Sequence, residues 1–295
     1  MPDFATWTAE QRARVERALS DWVPVDAPAG LGEAMRYAVL DGGKRVRPLL
    51  VLAAAEAVQG HAEAALRAAC ASELIHAYSL VHDDMPCMDD DVLRRGKPTA
   101  HVQFGEAQAL LAGDALQALA FELLTPDGDA VPPAMQAELC RLLARAAGAQ
   151  GMAGGQAIDL ASVGKPLTEP QLRAMHKLKT GALLQASVDM GAACGVGVPL
   201  AARGALRDYG AAVGLAFQVV DDILDVTADS AELGKTAGKD AAADKPTYVS
   251  LLGLQASRAL ADDLRAQAHA ALDASGLHHT GRLRALADRV VERSN

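Results

Sequence analysis

Aromatic side chains are scarce in this sequence: Phe, Trp and Tyr together make up 3% of 295 residues. Strands favour aromatic and β-branched residues, so the shortage argues against sheets and for close-packed helices rich in Ala and Leu. No C-x-x-C pair occurs, and Cys70, Cys87, Cys140 and Cys194 lie far apart. That spacing excludes an evident disulfide or zinc framework and leads to the expectation of reduced thiols packed in helices. Positive charge is also short, with 28 Lys plus Arg against 37 Asp plus Glu and a net charge of −9. A nucleic-acid binder working by bulk charge is thereby excluded. No 18-residue apolar stretch is free of charge, and Met1-Pro2-Asp3-Phe4 leads into no basic-then-apolar run. The expectation is a cytoplasmic protein with neither signal peptide nor membrane span.

What the chain does have is apolar material, 51% of its residues against 22% charged, enough for a sizeable core. Apolar residues recur at helical intervals through about 8–20, 31–58, 62–85, 103–124, 133–149, 168–195, 202–227, 246–274 and 282–293. Turn chemistry interrupts them at Pro24 to Gly30, Gly60, Gly96 to Pro98, Pro126 to Pro133, Gly164 to Pro170, Gly195 to Pro199 and Lys235 to Pro246. No composition shift or repeat of 20 to 50 residues divides the chain. The fold class expected is all-α, one large helical domain over 1–295.

Carboxylates then appear where a core should be. Asp83-Asp84-Met85-Pro86-Cys87-Met88-Asp89-Asp90-Asp91 puts five acids in nine residues directly after the apolar run from Leu74 to Val81. Like charges one helical turn apart repel by roughly 0.2–0.5 kcal/mol per pair even when solvated, so a bound hard cation is the obvious compensation. Asp83 and Asp89 are six residues apart, about 240° on an unbroken helix at ~100° per residue. Pro86 resolves this by ending the hydrogen-bond ladder and letting the chain turn Asp89 back toward Asp83. A second acidic segment, Asp221-Asp222-Ile223-Leu224-Asp225, sits in an unbroken period, so Asp221 and Asp225 share a face with Gln218 one turn earlier. A solvated acidic helix face is the plain alternative for each segment alone.

Cations are grouped as well. Gly42-Gly43-Lys44-Arg45-Val46-Arg47-Pro48 follows a flexible turn, and Arg94-Arg95-Gly96-Lys97 follows the first acidic cluster. Arg grips oxyanions bidentately and Lys acts as a point charge. For Arg45 and Lys97, salt bridging to neighbouring acids is an equally good assignment. Lys179-Thr180-Gly181, Gly234-Lys235-Thr236, Lys239 and Lys245 place further lysines near turns. Acids and cations together point to a metal-bridged diphosphate.

With these motifs the chain resembles the short-chain trans-prenyl diphosphate synthases, and is most similar to the bacterial farnesyl diphosphate synthases. The likeness runs nearly end to end. It includes the G-G-K-R-V-R-P segment, His76 to Gly96, Gly105-Glu106 leading to Leu111-Ala112-Gly113-Asp114, Gly154-Gly155-Gln156 with Asp159, Lys179-Thr180-Gly181, Phe217 to Asp225 and Gly234-Lys235-Thr236. The resemblance implies an isoprenoid synthase fold: a helical bundle around a deep central cavity, a homodimer, and about three Mg²⁺ ions per site. It places isopentenyl diphosphate on Lys44, Arg47, His76 and Arg95. Allylic diphosphate falls on Arg94, Lys179, Thr180, Gln218 and Lys235, and less securely Lys245, because the family has Pro where Val249 stands. Mg²⁺ falls on Asp83, Asp89, Asp221 and Asp225, while Asp84 and Asp222 complete the catalytic acids. It also implies the activity, ionisation of an allylic diphosphate and its coupling to isopentenyl diphosphate, ending at farnesyl diphosphate. No protein nucleophile is needed, and the released diphosphate takes the proton.

Product length has a geometric candidate. Tyr78 lies five residues before Asp83, about 7.5 Å down a helix at ~1.5 Å per residue, with small Ser79 beside it. A large ring there forms a floor that admits a ten-carbon chain and obstructs a longer one. Core packing is the bland role for the same ring. Two rivals remain: a class I terpene cyclase, which carries an N-S-E second metal site and an aromatic-rich cavity, and an inactive subunit of a heteromeric synthase, which should have lost motif residues.

Overall fold

The structure, a computed structural model, describes residues 3–40, 42–165, 167–227 and 247–292. Among these the secondary structure is almost entirely helical. In chain order the helices are α1 Phe4–Trp22, α2 Leu31–Val39, α3 Val46–Ala57, α4 Ala62–Asp83, α5 Ala100–Phe104, α6 Glu106–Leu124 and α7 Pro133–Ala147. They continue with α8 Met152–Ala161, α9 Glu169–His176, α10 Ala182–Ala193, α11 Leu200–Thr227, α12 Tyr248–Leu252, α13 Leu254–Ala274 and α14 Gly281–Glu292. One antiparallel hairpin pairs β1 Leu93–Arg94 with β2 Lys97–Pro98.

Local chemistry sets several of the boundaries. Asp3 caps α1 by accepting from the Thr6 amide at 2.7 Å, and Thr168 with Gln171 forms a capping box at the start of α9. The continuous helices expected at 31–58, 103–124 and 246–274 are each split. The break around Gly42-Gly43 separates α2 from α3, and Gly105 (φ 85°) and Gly253 (φ 81°) part α5 from α6 and α12 from α13. Apolar periodicity runs straight across these points because it does not register a positive φ, which glycine adopts without strain. Helix α8 answers to none of the expected segments.

The core is dominated by Ala and Leu, with Ala53, Ala54, Ala68, Ala69, Leu74 and Ile75 essentially inaccessible. Such small side chains let axes approach closely in a bundle. Helix α4 runs along α6 and α3, α10 lies between α3 and α11, and α11 is backed by α13. Cys70 and Cys194 are buried thiols, Cys140 is partly covered in α7, and Cys87 is exposed in the loop after α4. Helix α6 is long and apolar enough by length and composition to cross a membrane, yet it packs along α4 and α2 and contains Glu106, Asp114 and Glu122.

Candidate active site

The two acidic motifs lie at the C-terminal ends of α4 and α11. After Asp83 the chain folds back, and the Asp89 amide donates to the Asp83 carbonyl at 2.9 Å. This is the return that a Pro86 break permits. Within the pair Asp83-Asp84 the two side chains have separate duties. Asp84 is buried and gripped bidentately by Arg94, from Nε at 2.7 Å and Nη2 at 2.5 Å. Burial pushes the Asp83 carboxyl up to about 6; Lys179 opposes the shift, the Asp89 and Asp84 carboxylates add to it, and Arg94 opposes it too.

Arg94 occupies β1, and the two-residue turn Arg95-Gly96 has φ of 54° and 76°, the sign pattern of a tight hairpin turn. That turn carries Arg95 over the loop before α3. A Cβ at Gly43 (φ 94°) would lie 2.7 Å from Arg95 Nη1, so only glycine lets the guanidinium rest there. Arg45 and Arg47, two residues apart, have opposite fates. Arg45 is saturated by Glu16 at 2.7 Å, Glu73 at 2.6 Å and the Val39 carbonyl at 2.6 Å, which makes it an internal tie. Arg47 is buried, and its Nε has no hydrogen-bond partner among the described residues. Burial lowers the Arg47 pKa below its ordinary value, against the pull of Glu73 and Asp221. Burial, with Arg47, Arg95, Arg94 and Arg45 around it, likewise holds His76 well below the usual imidazole range, so it is neutral. Lys44 is exposed, and it lines a cavity with Thr8, Arg12, Leu286 and Arg289, which contains neither Arg47, His76 nor Arg95.

The other cations come from a π-helical turn, Lys177–Gly181, between α9 and α10. Such turns widen the helix and recur at functional sites. Lys179 Nζ lies 2.6 Å from Asp159 Oδ2, a buried carboxylate of α8. Gly155, one turn earlier on α8, sits flush on the π turn: a Cβ there would be 2.1 Å from the Lys179 amide nitrogen. Thr180 donates to Gln218 Oε1 at 3.0 Å, Gln218 donates to Asp222 Oδ1 at 2.8 Å, and the Tyr248 amide donates to Asp222 Oδ2 at 2.8 Å. Asp222 is therefore a buried anchor, as Asp84 is in the first motif. Asp225 is also buried, while Asp221 on the same helix face is partly open. Tyr78 is buried, and Ser79 donates to the His76 carbonyl at 2.8 Å. Lys235 and Lys245 lie outside the described residues.

Asp159, which stands with Gly154-Gly155-Gln156 among the motifs, holds Lys179. Glu73, which pairs with Arg45, is in none of the motifs. Its signal in the sequence is an acid within an apolar helix, the criterion that exposed the two main motifs.

The donor set suits a hard divalent cation. The Asp83 carboxyl is raised by burial, with Asp89 and Asp84 adding to the shift; a cation favours its charged form, and oxygen ligands are what Mg²⁺ takes. Among the described residues no group of three or more His, Cys, Asp or Glu is placed to hold a metal ion by itself. An open site of a few carboxylates that leaves positions for water and ligand phosphate fits Mg²⁺. A cavity of about 460 Å³ beside Trp7, Arg14, Glu56 and His279 contains none of the motif residues.

Residues 28–275 match the family described as Polyprenyl synthetase. A probable farnesyl diphosphate synthase of Bradyrhizobium diazoefficiens is 54% identical over 263 residues, 88% of this chain and 79% of that one. The heterodimeric geranylgeranyl pyrophosphate synthase large subunit 1 of Arabidopsis thaliana is 46% identical over 298 residues, 99% of this chain and 80% of the relative. Among solved structures, the apo FPP/GFPP synthase from Zymomonas mobilis superposes with a TM-score of 0.87 at 42% identity, covering 98% of both chains. With its helical bundle, its paired acidic motifs and this likeness over most of its length, the chain belongs to the polyprenyl synthetase family, among the trans-prenyl diphosphate synthases.

Proposed function

We propose that the chain condenses isopentenyl diphosphate with dimethylallyl and then geranyl diphosphate, releasing (E,E)-farnesyl diphosphate. The observation that carries this reading is the buried Arg47, whose Nε has no partner among the described residues, beside neutral His76 and the Arg95 guanidinium. A buried guanidinium whose Nε is left unpaired is costly unless an anion arrives. Lys44, Arg47, His76 and Arg95 are assigned to isopentenyl diphosphate and Arg94, Lys179, Thr180 and Gln218 to the allylic diphosphate, with Lys235 and Lys245 added from the sequence motifs alone. Asp83, Asp89, Asp221 and Asp225 hold Mg²⁺, which when bound neutralises charge on the departing diphosphate. Lys179, fixed by Asp159 and the π turn, adds a preorganised positive charge where negative charge develops. The apolar helices exclude water from the allylic cation.

The C15 end point rests on Tyr78 as the floor and agrees with relatives named farnesyl diphosphate synthases at 54% and 51% identity. Plant relatives named geranylgeranyl pyrophosphate synthases, 45–49% identical, favour a C20 product instead. Incubation with isopentenyl diphosphate, dimethylallyl diphosphate and Mg²⁺ followed by sizing of the products decides between them. C15 is expected as the main product, C20 and beyond for Tyr78→Ala, and C10 for Ser79→Phe. An active Tyr78→Ala enzyme that still stops at C15 refutes the floor.

The same reading includes a homodimer. Leu110 and Leu111 of α6 are 45% and 53% exposed, and a second copy is the partner that covers this face. Sedimentation at micromolar concentration should give twice the chain mass of 30.6 kDa; a monomer at all concentrations rejects it.

A further inference from the structure

Building on the reading of Tyr78 as the floor, we propose that His82 and Gly113 brace that floor, so that α6 takes part in setting product length. Tyr78 and His82 are four residues apart and therefore share a face of α4. Their rings meet edge to face, with centroids 5.7 Å apart and planes at 75°. His82 is itself pinned from the other side: its Nε2 lies 3.0 Å from the Leu110 carbonyl of α6. A carbonyl only accepts, so Nε2 carries the proton and donates.

The pinning requires the absence of a side chain at position 113. A Cβ on Gly113 would lie 2.1 Å from His82 Nε2, 2.5 Å from Cδ2 and 2.8 Å from Cε1. The His82 ring would have to give way. One turn further along α6, the Gln117 side chain lies against the Tyr78 hydroxyl and opposes the rise that burial gives its pKa. Positions 110, 113 and 117 are spaced i, i+3 and i+7, one stripe of α6 laid along α4. The Tyr78 ring is thus held by its own helix through His82 and by the neighbouring helix through Gln117. A floor has to resist the growing chain, and a ring free to change rotamer would yield to it. Rigidity of Tyr78, and not its size alone, is what stops elongation.

The test compares the C20:C15 product ratio of His82→Ala, Gly113→Ala and Tyr78→Ala, and of each of the first two combined with Tyr78→Ala, at equal substrate conversion. The ratio does not depend on overall rate, so a loss of turnover from disturbing the neighbouring Asp83 leaves it readable. His82→Ala and Gly113→Ala should each raise the ratio at least tenfold, and neither should raise it further in the Tyr78→Ala background. His82→Phe, which keeps a ring edge against Tyr78, should return the ratio toward that of the unaltered protein. If Tyr78→Ala lengthens the product while both His82→Ala and Gly113→Ala keep the parental ratio, the brace is wrong and the floor stands. If Tyr78→Ala itself stays at C15, the floor is wrong and the brace falls with it. Should His82→Ala give no soluble enzyme, Gly113→Ala decides alone, since alanine is favourable within a helix.

Discussion

Arg45 and Arg47 make a controlled pair: same side chain, same turn, opposite consequences. In Arg45→Met the hydrogen bonds to Glu16, Glu73 and the Val39 carbonyl disappear, and Glu73, whose side chain is 4% exposed, is left as a buried charge. Breaking a buried ion pair from one side costs about 3–5 kcal/mol. With roughly 2.1 cal/mol/K of unfolding entropy per residue, a chain of 295 residues has about 0.6 kcal/mol/K, so the melting temperature should fall by about 5–8 °C. In Arg47→Met the volume is similar and a costly buried guanidinium is removed, so the shift should be under about 2 °C. Its effect should be on binding. A charge-assisted hydrogen bond is worth about 1.5–3 kcal/mol, which corresponds to a rise of roughly 10- to 150-fold in KM for isopentenyl diphosphate. KM for geranyl diphosphate should hardly move. Thermal melts and steady-state kinetics on both variants test this. The reasoning fails if Arg47→Met melts as low as Arg45→Met, or if it weakens both substrates equally.

Asp83→Ala or Asp221→Ala should lower turnover at least a hundredfold, about 2.7 kcal/mol in the barrier, with the melting curve still cooperative; near-normal rates at saturating Mg²⁺ in both variants would be incompatible with the metal assignment. A pH effect follows from Asp83, whose carboxyl is raised from 3.8 to about 6 by burial and by Asp89 and Asp84, against Lys179 and Arg94. Because the folded state holds this proton more tightly than the unfolded chain, metal-free stability falls as pH rises from about 4 to about 6. The loss is at most about 3 kcal/mol, at ~1.36 kcal/mol per unit. Mg²⁺ should therefore raise the melting temperature more at pH 7.5 than at pH 5, and equal shifts at both would count against a cation at Asp83.

Much about this protein is decided within a few residues along the chain. Scarce aromatics and a 3.6-residue apolar period already require helices, since those tendencies act through each residue's own backbone and its nearest turns. Acids inside apolar runs are legible for the same reason: a carboxylate on a buried helix face is costly wherever the helix ends up. The return of Asp89 toward Asp83 follows from Pro86, again a local effect. Other properties belong to the tertiary structure alone. Nothing in G-G-K-R-V-R-P separates Arg45, tied by Glu16 and Glu73 from α1 and α4, from Arg47, whose Nε meets no acceptor among the described residues. Nor does D-D reveal that Asp84 and Asp222 are occupied by Arg94, Gln218 and the Tyr248 amide. The π turn presenting Lys179 and Thr180 exists where Gly155 of α8 presses on it, and Asp159 fixes Lys179 from twenty residues away. Desolvation and pairing depend on which distant elements converge, so they are settled only when the helices pack.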